Sequence, residues 1–368
     1  MAFTASDVKN LRERTGCGMM DCKKALTESN GDFEKAIEYL REKGLAAATK
    51  KAGRIAAEGM VLATVNKEAK VGVVIEVNSE TDFVAKNEQF RTFVADLAEI
   101  VAETNPATVE ELMTKTMKDG NTVEAGLQEK ILVIGENLKI RRFEIVEGDV
   151  VTYIHAGGTV GVLVAFDVDD ATAANAEFTA MGKNIAMQIA AMSPEYLSKA
   201  DISDEELAKM KSITIDSALN KPDSLPIPVL NSLIEEAING KKWSEDDITI
   251  YQGLDQKQRK NFVNFISDAA YATLVELALA HKAEIADNKI FVGLVQGRLS
   301  KQIKEVCLLE QAFVRSDLFE GDVNGYINSV AKALGAEIKA TSFTRFAKGE
   351  GIEKKVDDFA AEIASMVK

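Results

Sequence analysis

Apolar residues recur at helical spacing near both ends of the chain and at strand spacing between them. Residues 1–45 predict three short helices. Phe3 and Val8 bracket Thr4 as a hydrophobic staple, and Asp7 supplies the return half of a capping box. Val8 and Leu11 continue the apolar face until Gly16 and Gly18 interrupt it. Asp21 is placed to cap a second helix bearing Ala25 and Leu26, and Asn30-Gly31 signals a turn. Asp32 starts a third helix with Phe33, Ala36, Ile37 and Leu40 inward, which Gly44 is expected to stop. Ala46 to Arg54 reads as a short basic helical linker. So small a bundle is marginal by itself and must be very regular or lean on what it binds.

From Met60 the pattern changes to strands. Met60–Val65 and Val71–Val77 predict a hairpin joined by a polar turn. A helix follows with Phe90, Phe93, Val94, Leu97 and Val101 on one face. Helical segments Val109–Met117 and Val123–Ile134 come next, then a strand Leu138–Val146 alternating around Arg141 and Arg142. Strands grouped with helices in this order predict an α+β unit with an antiparallel sheet. The pattern then recurs: strands Val151–Ile154 and Val160–Val168, and a helix carrying Phe178, Met181, Ile185, Ile189 and Met192 on one face. Val160-Gly161-Val162-Leu163-Val164 echoes Val71-Gly72-Val73-Val74-Ile75, and Ile338–Phe346 echoes Ile140–Val146. We therefore expect two related antiparallel-sheet/helix subdomains, the second interrupted.

The interruption is almost wholly helical. Ser203–Glu206 and Ser244–Asp247 are capping-box signatures, and Pro222, Pro226 and Pro228 must break a helix. Phe262, Phe265, Ile266, Ala269, Thr273, Leu274 and Leu277 are expected to line one long helix. This segment is either an arm that binds partners or forms a dimer, or an ordinary helical subdomain packed on itself. A short strand at Glu305–Leu309, a helix with Val323, Ile327, Val330 and Leu334 closed by Gly335, and a C-terminal helix bearing Val356, Phe359, Ala360 and Ile363 complete the chain. The expected organisation is a three-helix module with linker (1–54), a first subdomain (55–149), a second (150–198 with 303–346), a helical arm (199–302) and a C-terminal helical module (347–368).

Where the Val71–Val77 strand gives way to the next helix stands Thr81-Asp82-Phe83-Val84-Ala85-Lys86-Asn87-Glu88. Thr81 or Asp82 suits a helix cap. A cap does not explain Phe83, which is either tucked under the helix or presented outward. Spacing alone favours the tucked position, because large aromatics are mostly buried.

Composition narrows the classes. With 46% apolar residues in 368, the chain can build real cores and is not disordered. No window is long and apolar enough to span a membrane, and the N-terminus lacks a signal's charged head and apolar core. No transit segment is visible either, so a bacterial cytoplasm is the expected location. Three cysteines, an odd number, fit reduced thiols there. Two histidines, His155 and His281, leave little for a metal site. The net charge of −14 makes a general nucleic-acid binder improbable. Residues 1–55 nevertheless carry eleven Lys/Arg against eight Asp/Glu, which suits either a solvated face or an acidic patch on a partner. Lys50, Lys51 and Arg54 lack interleaved aromatics and read as a connector.

Chemistry is sparse. His155-Ala156-Gly157-Gly158-Thr159 lacks the phosphate-loop lysine and the dinucleotide spacing, so its glycines point to a hairpin turn. Cys17, Cys22 and Cys307 have no histidine nearby in sequence. Carboxylate pairs such as Glu110-Glu111 and Asp357-Asp358 fall on expected helix surfaces. No catalytic residue, cofactor or metal is expected, and a binding or regulatory protein is the better class.

Three stretches carry a resemblance. Leu11-Arg12-Glu13-Arg14-Thr15-Gly16-Cys17-Gly18-Met19-Met20-Asp21-Cys22-Lys23-Lys24-Ala25-Leu26 resembles the N-terminal signature of the translation elongation factor Ts family, Thr81–Asn87 its second signature, and Phe346–Lys354 its C-terminal segment. The family exchanges guanine nucleotide on elongation factor Tu, without covalent chemistry. The resemblance implies that the first 45 or so residues form a module similar to a ubiquitin-associated domain, docking on the nucleotide domain of Tu, with Arg12, Met19 and Met20 in supporting contact. It implies that Asp82 and Phe83, flanked by Thr81 and Val84, intrude between helices of Tu, disturb its Mg²⁺ site and loosen its phosphate loop. His155 matches a family histidine beside the intruding aromatic, although the glycine turn after it is about one residue longer here. The C-terminal helix would add a further contact on the nucleotide domain. The implied partner is Tu in its GDP-bound and nucleotide-free states. Residues of about 200 to 295 include extra material beyond the family's usual shorter helical hairpin.

Overall fold

The computed structural model describes residues 3–353; the expected C-terminal helix with Val356, Phe359, Ala360 and Ile363 lies outside them. The chain is α+β and forms two compact units, one of residues up to Ser193 with those from Phe313 onward, the other Pro194–Ala312.

The first unit opens with α1 (Ala5–Thr15), α2 (Met19–Glu28) and α3 (Phe33–Lys51). Thr4 and Asp7 form the capping box of α1, and Val8, Leu11, Ala25, Leu26, Ala36 and Leu40 build the core of the module. Two expectations are corrected. Asp21 does not cap α2: Gly18 holds that position without a side-chain bond, and Asp21 pairs with Lys43 at 2.7 Å. Gly44 does not end α3, which runs on to Lys51 and absorbs much of the expected linker. Gly44 is instead a contact point, where a Cβ would lie 3.2 Å from the Gln128 carbonyl.

The rest of the first unit is built twice. β1 (Glu58–Asn66) and β2 (Val71–Ser79) lead to α4 (Glu88–Thr104), α5 (Val109–Thr114), α6 (Val123–Ile134) and β3 (Lys139–Glu147). β4 (Asp149–His155) and β5 (Val160–Asp167) lead to α7 (Asp170–Ala173) and α8 (Ala176–Met192). The second unit then intervenes, with α9 (Asp204–Leu219), α10 (Ile227–Asn239), α11 (Glu245–Gly253), α12 (Gln256–Arg259), α13 (Asp268–Ala280), α14 (Lys282–Asp287) and α15 (Lys289–Val306). The first unit resumes through α16 (Val323–Leu334) and β6 (Lys339–Ala347).

The two antiparallel sheets have the orders β1-β2-β3 and β4-β5-β6. Their registers agree in detail. Val71 faces Glu147 and the pairing continues to Glu76 with Arg142, then slips so that Val77 faces Ile140. Val160 faces Ala347, continues to Ala165 with Ser342, and slips so that Phe166 faces Ala340. Arg141 and Thr341 are thus the extra residues of matching β-bulges. Helices α4 and α8 each have 17 residues, and α6 and α16 each have 12 with a left-handed glycine after them. Glycine at one matched position lets the sheets stack closely: a Cβ on Gly72 would meet Val150 at 2.7 Å, and on Gly161 would meet Val61 at 2.6 Å. Val61, Ala63, Val74, Leu163 and Phe346 fill the space between them. The other face of the first sheet packs under α4 through Val73, Ile75, Val77, Phe90, Phe93 and Leu97. Phe178, Met181, Ile185 and Ile189 of α8 are buried, whereas Met192 is exposed, not part of that face.

The second unit has its own core around Leu219, Leu233, Trp243, Phe262, Leu274, Leu277 and Phe291. Ser203 forms its capping box with Glu206. The expected single helix from Phe262 is corrected: Phe262–Asn264 is a 3-10 turn, and α13 begins only after Ser267 caps it. The reason is a contact from another helix, since Asp247 accepts hydrogen bonds from Ser267 N and Oγ at 2.8 and 2.9 Å, fixing a non-helical residue there. The expected strand at Glu305–Leu309 is the end of α15 followed by a 3-10 turn; its strand-like part is a parallel bridge from Tyr196 to Cys307, with the Leu308 and Leu309 N–H groups donating to the Tyr196 and Leu197 carbonyls at 2.9 Å. Among the described residues no helix is long and apolar enough to cross a membrane.

Candidate functional site

The stretch from Ser79 to Glu88 leaves the sheet and enters α4 through a 3-10 turn, Val84–Lys86. Neither Thr81 nor Asp82 caps the helix, contrary to expectation. Asn87 does so, its side chain accepting Phe90 N–H. Thr81 is freed for another task. Its N–H and hydroxyl donate to the two carboxylate oxygens of Glu136 at 2.9 and 2.6 Å, and its carbonyl accepts from Ser79 Oγ at 2.8 Å. Next to it, Glu80 accepts from Asn137 N–H at 2.6 Å and pairs with Arg54 at 3.3 Å. Asn137 Nδ2 in turn donates to the Arg54 carbonyl. Two successive residues before the turn are therefore clamped by the connection between α6 and β3, which the left-handed Gly135 turns toward them.

On the far side of the turn Val84 is 5% exposed and belongs to the core under α4. Phe83, between these two anchors, is 76% exposed. Asp82 is exposed beside it, with Lys86 Nζ 3.8 Å from its carboxylate and 5.7 Å from the Phe83 ring centre. Burial would stabilise such a ring by about 2–3 kcal/mol, so its outward position is set by its anchored neighbours. The duplicated architecture supplies a control. Counting four residues back from the matching caps Asn87 and Asn175 reaches Phe83 in the first repeat and Ala171 in the second. The fold does not require an aromatic there.

His155 ends β4, exposed, with its Nδ1 3.0 Å from the Tyr153 hydroxyl. The turn after it is fastened to β1: Val61 N–H donates to the Gly158 carbonyl at 2.8 Å, and Gly158 lies against Met60, where a Cβ would approach to 3.0 Å. The 3-10 turn behind Phe83 packs on the same strand. The Phe83 and His155 turns thus share β1 as a base. The His155 side chain is exposed to solvent.

In the N-terminal module Arg12 is exposed on α1, and Met19 and Met20, at the start of α2, are 52% and 73% exposed. The Gly16 connection runs beside Gln89 in the first turn of α4, and a cleft of about 480 Å³ lined by Arg14, Gly16, Glu88 and Gln89 separates them. Lys51 and Arg54 serve the fold, donating to the Ile131 carbonyl and pairing with Glu80. Spacing did not point to Glu80, Glu136 or Asn137; the only signal was the glycine stop at Gly135, which marks a chain reversal but not its target.

A family model described as Elongation factor TS matches residues 80–350. The chain belongs to the elongation factor Ts family. Elongation factor Ts of Clostridium perfringens (strain SM101 / Type A) is 41% identical over 371 residues, covering 99% of each chain. That of Clostridioides difficile (strain 630) is 39% identical over 368 residues, covering 100% of this chain and 99% of the relative. That of Trichlorobacter lovleyi is 39% identical, covering 99% and 98%. These matches run through the helical insertion, so the insertion is shared with relatives in the elongation factor Ts family and is not material peculiar to this chain. Membership supports a role in translation elongation as a nucleotide exchange factor for elongation factor Tu.

Proposed function

We propose that the Thr81–Val84 turn is the intruding element by which this chain promotes GDP release from elongation factor Tu. Phe83 enters between helices of Tu, Asp82 follows it, and Thr81 and Val84 hold both at the required angle. Arg12, Met19 and Met20 of the N-terminal module and His155 beside the wedge make supporting contacts. The observation that carries the reading is the 76% exposure of Phe83 between two fixed anchors. A large apolar ring held in water is a liability for a free chain and an asset for one that inserts it into a partner.

The physics of exchange needs no proton transfer. Mg²⁺ bridges protein and phosphate oxygens in a near-ideal octahedron, so a small displacement of a ligand-bearing helix weakens the grip. A factor that binds nucleotide-free Tu more tightly than GDP-bound Tu must lower GDP affinity by the same ratio. Phe83 brings contact area with few rotamers to freeze, and the Asp82 carboxylate opposes retained phosphate.

The test is the release of a fluorescent GDP from preloaded Tu. Phe83→Ala is expected to keep the fold, because the ring touches little of its own chain. Its stimulation of release should fall by about 2 kcal/mol or more of transition-state stabilisation, roughly thirty-fold. Equal rates for the variant and the parent would refute the wedge. A stable complex that leaves GDP release unchanged would mark the chain as a holding module instead.

A further inference from the structure

The first two cysteines occupy a defined pair of positions. Helix α2 starts at Met19 with Gly18 as its cap, so Cys17 precedes the cap and Cys22 is the fourth helical residue. Side chains at these positions pack together across a helix start, as Phe3 and Val8 do at α1. At α2 both members of the staple are thiols. Cys17 and Cys22 are 2% and 0% exposed in one core, and neither is in a disulfide. Cys22 Sγ lies 3.8 Å from the Cys17 carbonyl oxygen and 3.8 Å from Thr15 Oγ1. Between them lie the cap Gly18 and the exposed Met19 and Met20 in the first turn of α2.

We propose that Cys17 and Cys22 are an oxidisable dithiol, converted by hydrogen peroxide into an intramolecular disulfide that staples the start of α2. One thiolate attacks a peroxide oxygen, the O–O bond breaks, and a sulfenic acid and water form. The second sulfur attacks the sulfenic sulfur, the S–O bond breaks, and hydroxide leaves with the remaining thiol proton as water. Two thiols have then lost two electrons and two protons to the peroxide, which ends as two waters. Burial raises both thiols above the ordinary cysteine range, so the reaction proceeds from a locally opened module. A small terminal bundle opens more readily than the sheets behind it. A disulfide requires a Cβ separation near 3.8 Å, so closing it locks the segment before the cap to the first turn of α2, which carries both methionines. The effect of that lock on exchange rests on the docking role proposed above; the chemistry does not.

The full chain, treated with hydrogen peroxide, denatured, alkylated and cut with trypsin, yields Thr15–Lys23 with both cysteines in one peptide. We expect this peptide to be two hydrogens lighter and free of alkyl groups, while the peptide bearing Cys307, buried in the other unit, is alkylated. Two alkyl groups on Thr15–Lys23, or sulfinic acid on either cysteine without a bridge, overturn the proposal. In the GDP-release assay the bridged chain should stimulate several-fold less than the reduced chain and recover on reduction. Cys17→Ala, which keeps an apolar staple, should not respond to peroxide. A bridge that leaves release unchanged removes the control of docking, whereas a reduced chain without stimulation sinks the wedge and not the bridge.

Discussion

Phe83 stands in water because its neighbours leave it nowhere else to go. Val84 is drawn into the core and Thr81 is bound through both its N–H and its hydroxyl to Glu136, so the intervening residues must bulge outward. Removing the clamp should therefore disable the wedge while leaving Phe83 itself unaltered. Glu136→Ala deletes two charge-assisted hydrogen bonds in a half-buried setting, which we expect to lower stability by about 1–2 kcal/mol. Exchange should slow more than this loss implies, because the ring then samples many directions. Urea unfolding and the release assay on one preparation separate the two effects; a stability loss without slower exchange removes the clamp from the mechanism. Phe83 was legible only by resemblance. Its spacing pointed inward, and what turns it outward is a carboxylate 55 positions away in sequence, which no local pattern contains.

Helices and strands were far more legible than the contacts between them. The strand pairs, the duplicated order and the caps at Thr4 and Ser203 all follow from periodicity and turn chemistry, which are local. Two errors concern where a helix ends. Gly44 carries a stop signal, yet α3 continues because it packs against α6 and glycine permits the close approach. Glu305–Leu309 has a strand's composition, yet α15 runs on to Val306 and a 3-10 turn follows, so its pairing with the Tyr196 segment stops at an isolated bridge. Tertiary contact decided the first. The Gly44 reading has a direct check. Gly44→Leu should improve helix propensity by roughly 1 kcal/mol, yet the added side chain must displace the Gln128 backbone, at about 1–3 kcal/mol. We expect net destabilisation and weaker Tu binding as the module lifts from α6. If thermal melting shows the variant to be more stable, Gly44 is no contact point.

The two repeats match so closely in register that a mismatch between them marks what the assembled unit needs. Ala165 occupies the bulge position of β5 and Glu76 the same position of β2. Glu76 is fully buried, where an unpaired carboxylate would be costly. It accepts from Arg141 at 3.0 Å, Arg142 at 2.7 Å, Asn78 at 3.0 Å and the Gly349 N–H at 2.7 Å. Arg142 also stacks on Phe346, 4.1 Å from its ring centre, and pairs with Glu350 at 3.4 Å. One carboxylate thus ties the first sheet to the chain just after β6. Burial pushes its pKa up, but the hydrogen bonds from Gly349, Asn78 and Arg142 outweigh burial and hold it below the usual range. A group lowered on folding stabilises fully above its unfolded value, near 4.3, and loses that contribution as pH falls through the folded value. Glu76→Gln removes the charge and leaves two arginines facing an amide, which should cost about 3–5 kcal/mol at pH 7. Because protonated Glu76 resembles glutamine, the gap between parent and variant should shrink steadily as the pH falls below about 4. Denaturant unfolding at pH 7 and at successively lower pH measures that gap directly. A gap independent of pH would mean that shape, not charge, holds the two repeats together.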